Sequence, residues 1–95
     1  MKLRWTRRAS ADLEQIGDYI APDSAAAAAA TVFRILDQAE SLREHPHLGR
    51  AGRIAGTREL VIAETPFIVV YRANEAAIEV LAAFHGARRW PDSLA

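Results

Sequence analysis

Four residues have the types needed to work on a phosphodiester: Arg58, Arg72, His85 and Arg88. RNA cleavage through its own 2′-hydroxyl requires a base for that hydroxyl and an acid for the leaving oxygen. It also requires cations for the charge that grows on the phosphate. Histidine serves either proton-transfer role near neutral pH, and a guanidinium grips phosphate oxygens in pairs. No metal enters such a scheme. Arg72 and His85 fall near the ends of two neighbouring β-rich runs, with Arg58 opening a third, so one sheet face is a possible meeting place. The competing assignment is structural. Arg58 and Arg72 would pair with Glu59, Glu64 or Glu79 on the surface, and His85 would hydrogen-bond near the end of the chain. Tyr71 precedes Arg72, so strand alternation sends it to the opposite face, as a structural residue.

Other chemistry is poorly supported. His45 and His47 flank Pro46, but the chain has no cysteine and no acid–histidine set at ligand spacing, so no metal and no cofactor is expected. Gly49, Gly52 and Gly56 lack the lysine–serine/threonine pair of a phosphate loop. Arg50 and Arg53 in the same stretch, with Arg88, Arg89 and Trp90 near the end, are candidate partner contacts. Trp5 suits a core or edge anchor.

The elements that must position these groups follow from periodicity. Leu3-Arg4-Trp5-Thr6 alternates apolar and polar as a short strand does. From Ala9 the apolar spacing becomes helical through Leu13, Ile16 and Ile20, and Pro22 stops it. Asp23 or Ser24 can cap a second helix. Six alanines, Ala25 to Ala30, open that helix as a close-packing face, and Val32, Ile35, Leu36, Ala39 and Leu42 carry it to about His45 before Pro46. A link of about three residues makes the pair an antiparallel hairpin. After a glycine-bearing loop come three β-rich runs, 59–62, 67–71 and 78–84, joined by short connections. The order β-α-α-β-β-β predicts an α+β domain spanning residues 1–95. Its two-helix hairpin packs on one face of a mostly antiparallel four-stranded sheet.

Composition sets outer limits. The chain has 95 residues, 51% of them hydrophobic and 25% charged, with zero formal net charge, which is ordinary globular composition. The first eight residues hold Lys2, Arg4, Arg7 and Arg8. Residues 9–45 hold seven acids against Arg34 and Arg43, and six arginines face five acids in the remainder. That is too even a balance for a surface built on many phosphate contacts. No apolar run nears the length of a membrane span, and charge at Arg7 and Arg8 interrupts any leader-like stretch. The expectation is a cytoplasmic protein without membrane association.

Several segments together resemble a known family. Leu3-Arg4-Trp5-Thr6 followed by Ala11-Asp12-Leu13-Glu14-Gln15-Ile16 is similar to the opening of ParE-type toxins in the RelE/ParE superfamily. His45-Pro46-His47-Leu48-Gly49-Arg50 resembles the family's proline–x–leucine–glycine–arginine loop. Thr57-Arg58-Glu59-Leu60-Val61 with Phe67-Ile68-Val69-Val70-Tyr71-Arg72 resembles its central hairpin. His85-Gly86-Ala87-Arg88-Arg89-Trp90-Pro91 resembles its closing histidine–x–x–arginine–x–tryptophan signature. The resemblance implies the toxin of a type II toxin–antitoxin module. It implies a cognate antitoxin that wraps the toxin in a heteromeric complex and through which alone operator DNA is bound. Within the superfamily, the neutral charge and single lysine favour an inhibitor of DNA gyrase, with no catalytic residue of its own. The alternative is a RelE-like, ribosome-dependent mRNA endonuclease using His85, Arg58, Arg72 and Arg88. A third possibility is an inactive antitoxin-binding module.

Overall fold

Thr6 ends the first strand and starts the first helix. In this computed structural model, which describes residues 1–87 and 94, its backbone is extended and its hydroxyl accepts from the Ala9 amide at 3.1 Å. The hydroxyl thereby satisfies one of the unpaired donors of the first turn. Helix α1 therefore runs Arg7–Ile20, starting two residues before the apolar stripe does. Ser24, rather than Asp23, caps α2 by accepting from Ala27 at 3.0 Å. Helix α2 spans Ala25–Glu40 and tightens into a 3₁₀ turn over Ser41–Arg43, short of the expected His45.

The alanine run departs from expectation. Ala28 is buried, but Ala25, Ala26, Ala27, Ala29 and Ala30 are exposed. Only one face of α2 meets the rest of the protein, and Ala28, Ile35 and Ala39 supply it. Phe33, 66% exposed, and Leu36 extend the uncovered face.

The strands are β1 (Lys2–Trp5), β2 (Arg50–Ala51), β3 (Arg58–Val61), β4 (Phe67–Ala73) and β5 (Ala77–His85), in the spatial order β1-β5-β4-β3-β2. β1 runs parallel to β5, and every other pairing is antiparallel. The sheet thus has five strands where the sequence predicted four. The extra one, β2, is two exposed residues pairing with Glu59 and Arg58, too short to show any alternation.

Alternation along β4 assigns the two faces. Phe67, Val69 and Tyr71 join Ala9, Ile16, Ile35, Leu42, Ile78 and Val80 in the main core beneath the helices. Ile68 and Val70 form a smaller cluster with Ala82 on the other face, against which Phe84 and Leu94 pack. The register slips between Val70 and Tyr71, where Leu81 of β5 is the extra residue. Trp5 is half-buried against the main core, in its expected anchoring role. No helix among the described residues is long and apolar enough to cross a membrane.

Candidate functional site

The register decides which of the candidate residues meet. Arg58 lies opposite Tyr71, Arg72 opposite Glu79, and His85 opposite Phe67. His85 is therefore five residues along β4 from the Arg72 level, roughly 16 Å at strand rise. It also sits on the helix-covered side with Phe67, while Arg72 shares the other face with Ile68 and Val70. Arg58 is on the His85 side but four residues along, roughly 13 Å in strand rise. The sheet does not gather Arg58, Arg72 and His85 at one point. Arg88, Arg89 and Trp90 lie outside the described residues.

Each of the three is occupied locally. Arg72 donates to Glu79 Oε1 at 2.6 Å, and Arg4, one strand further over, donates to Oε2 at 2.5 Å. The row Arg4–Glu79–Arg72 crosses three strands on the face away from the helices. The hydrogen bond from Arg72, then that from Arg4, holds the Glu79 carboxyl below the usual carboxylate range. His85 packs edge-on against Phe67 with ring centroids 5.7 Å apart, and its Nδ1 accepts from the Ala87 amide at 3.1 Å. Among the described residues Arg58 pairs with no carboxylate. Its Nη1 donates to the carbonyl of Gly49 at 2.8 Å and to that of His47 at 3.5 Å.

Arg58 thus works with Tyr71 to hold the loop after the 3₁₀ turn. The buried Tyr71 hydroxyl donates to Pro46 O at 2.8 Å and accepts from the Gly49 amide at 2.9 Å. Burial pushes this phenol up, against the opposing pull of the Gly49 amide and the Arg58 charge. A Cβ on Gly49 would stand 2.7 Å from the Tyr71 ring and 2.9 Å from Glu59 O, so only glycine fits there. Glu59, 2% exposed, fixes the far side of the loop. Its Oε1 accepts from Arg50 Nε and Nη2 at 3.2 and 3.1 Å, and its Oε2 from the Arg53 amide at 2.8 Å. Arg50 remains largely exposed beyond that ion pair. No cluster of three or more potential metal ligands occurs among the described residues.

A concavity lies elsewhere. A groove of about 830 Å³ opens between α1 and the last turn of β5, floored by Ile16, Phe67 and Ala83 and rimmed by Asp18, Tyr19 and His85. At its head, Asp12 Oδ2 accepts from the Ala83 amide at 3.0 Å and lies 3.6 Å from Arg8 Nε. Tyr19 is 75% exposed. Asp18 and Tyr19 escaped the sequence reading because the α1 side stripe Arg8–Asp12–Gln15–Tyr19 meets a strand some 70 positions away. The spacing itself was present, but its partner was not visible.

Comparison with known proteins bears on identity. Residues 3–90 match the family model described as ParE toxin of type II toxin-antitoxin system, parDE. The chain is 44% identical over 93 residues to Y4kP of Sinorhizobium fredii, covering 98% of this chain and 96% of that protein. It is 38% identical over 84 residues to Toxin RelE2 of Caulobacter vibrioides, covering 88% of this chain and 93% of that one. A chain of the solved chromosomal ParDE TA system from P. aeruginosa superposes with a TM-score of 0.82 at 31% identity, over 90% of this chain and 95% of that chain. With its strand–helix hairpin–sheet order and its match from residue 3 to residue 90, this chain belongs to the ParE toxin family of type II toxin–antitoxin systems.

Proposed function

We propose that this toxin inhibits DNA gyrase by docking to it and stabilising cleaved DNA, and that a cognate ParD-like antitoxin neutralises it. The observation that carries the reading is the strand register. Arg72 and His85 sit at opposite ends and on opposite faces of the sheet, so the expected meeting of His85 with Arg58 and Arg72 does not occur. The zero net charge points the same way, since a toxin gripping ribosomal or messenger RNA gains affinity chiefly from cationic surface. Its action is then binding rather than chemistry, without a cofactor. Arg50, with Arg53, Arg88, Arg89 and Trp90, stays a candidate contact for gyrase or antitoxin. Operator DNA is reached only through the antitoxin, and the complex acts in the cytoplasm.

The relative named RelE2 favours one second reading, a ribosome-dependent mRNA endonuclease in which His85→Ala abolishes toxicity while folding and antitoxin binding persist. Parallel assays separate the two. Purified toxin is expected to block gyrase supercoiling, relieved by antitoxin, and to leave ribosome-bound mRNA intact. Codon-phased mRNA cuts with unimpaired supercoiling would replace the gyrase reading with the nuclease. If expression without antitoxin does not slow growth, the chain is an inactive antitoxin-binding module instead.

A further inference from the structure

The β2 ladder stops one pair early. Gly52 donates to Thr57 O at 2.8 Å and Arg50 lies opposite Glu59, so the next hydrogen-bonding pair in that register would be Leu48 with Val61. It does not form. The Gly49 amide donates to the Tyr71 hydroxyl at 2.9 Å, and the Gly49 carbonyl accepts from Arg58 at 2.8 Å. The Leu48 amide turns back to His45 O at 3.1 Å. Tyr71 belongs to the core beneath the helices, so this clasp draws residues 46–49 toward the helix side and off the edge of β3.

The edge is left open at Val61. The Ile62 amide donates to Phe67 O of β4 at 3.0 Å, so alternation turns the Val61 N–H and C=O outward. Among the described residues neither has a partner. Further along, the Gln38 side-chain amide accepts from Ala63 N at 2.8 Å and donates to Ala63 O at 3.5 Å, which closes the edge again. Between these ends lies a cleft of about 380 Å³ lined by Gln38, Leu48, Arg50, Leu60 and Val61. Leu48 is 56% exposed and Val61 50%. Residues 45–58 carry Arg50, Arg53, Arg58, His45 and His47 and no acid. Glu59, the first carboxylate after them, is buried, whereas its partner Arg50 faces solvent. The charge that the loop offers a partner is therefore positive.

We infer that this opening receives an extended, acidic segment of the toxin's target protein. One residue of the segment exchanges both backbone hydrogen bonds with Val61. An apolar side chain seats between Leu48 and Val61, and a neighbouring aspartate or glutamate meets the solvent side of Arg50. The outward N–H and C=O select a peptide, because a phosphate backbone has acceptors but no amide donor. The arginines select an acidic one. The inference rests on the gyrase reading above, and it assigns Arg50 and Arg53 to the target rather than to the antitoxin.

The test uses purified full-length toxin, gyrase free of DNA, and the ParD-like antitoxin. Val61→Pro removes the outward N–H without removing a ladder bond. Leu48→Glu and Arg53→Glu change exposed side chains, so thermal melts and antitoxin affinity should match those of the unsubstituted protein. Each of the three is expected to weaken gyrase binding by about tenfold or more. Val61→Ala, which keeps the N–H, should lose less than Val61→Pro. Normal gyrase affinity in Val61→Pro and Leu48→Glu would overturn the inference while leaving gyrase inhibition intact. A defect confined to Arg53→Glu, and seen only when DNA is added, would give the loop to DNA phosphates instead. Loss of antitoxin affinity in these variants, with unchanged melts, would give the edge to the antitoxin. Failure of the unsubstituted toxin to bind gyrase would remove the gyrase reading and this inference with it.

Discussion

Tyr71 is the residue through which the loop at 46–49 is tied to the sheet, and its phenol has two partners, Pro46 O and Gly49 N. Tyr71→Phe keeps the ring and leaves both backbone groups unsatisfied in a buried place. We expect a loss of about 1–3 kcal/mol in urea unfolding, the cost of orphaning such groups. The phenol also gives the protein an alkaline limb. Burial raises its folded pKa above the unfolded value, so the fold holds the proton more tightly than the unfolded chain does. That contribution is complete below the ordinary tyrosine range and is lost as pH rises through the folded pKa. The urea midpoint should therefore fall above about pH 10 more steeply for the natural protein than for Tyr71→Phe. A parallel fall in both would assign the alkaline limb to other groups. Glu79 works in the opposite sense. Its depressed pKa adds stability above the usual carboxylate range that is lost on acidification, and the exposure of its partners Arg4 and Arg72 keeps that contribution small.

At the scale of elements, the two helices meet where Gly17 faces Val32. A Cβ on Gly17 would sit 3.4 Å from Val32 Cγ2, a contact the valine accommodates, and alanine restricts the unfolded chain where glycine does not. Gly17→Ala is expected to stabilise the protein by about 0.5–1 kcal/mol, and a lower thermal midpoint would show the interface to be tighter than this. The elements were legible in sequence to the extent that their signals were local. The 3.6-residue spacing from Ala9 to Ile20 and the stops at Pro22 and Pro46 named both helices, and the β-rich runs named three strands. Residues that bond across the chain were not legible. β2 exists because Glu59 and Thr57 hold residues 50–53 against β3, which two residues of sequence do not reveal. The alanine run carried helix propensity but said nothing about which face would be covered. The site was legible at Tyr71, whose inward orientation followed from alternation. It was not legible at His85 and Arg72, whose separation depends on an antiparallel register invisible in a linear pattern.

The described residues form a two-helix layer on a five-stranded sheet, and the chain has no net charge to attract nucleic acid. Such a body acts through surfaces, and its partner should change its stability as much as its activity. With antitoxin at about a thousandfold over Kd, folding stability should rise by about 4 kcal/mol. Thermal melts of toxin with increasing antitoxin would detect this as a progressive upward shift, and a flat series would mean that the two do not associate. The central claim concerns the target. Purified gyrase, closed circular plasmid and this toxin should yield linear DNA after detergent and protease treatment, because a poisoned enzyme is trapped with both strands cut, and prior antitoxin should suppress it. Plasmid that stays intact at toxin concentrations sufficient to arrest growth would contradict the account.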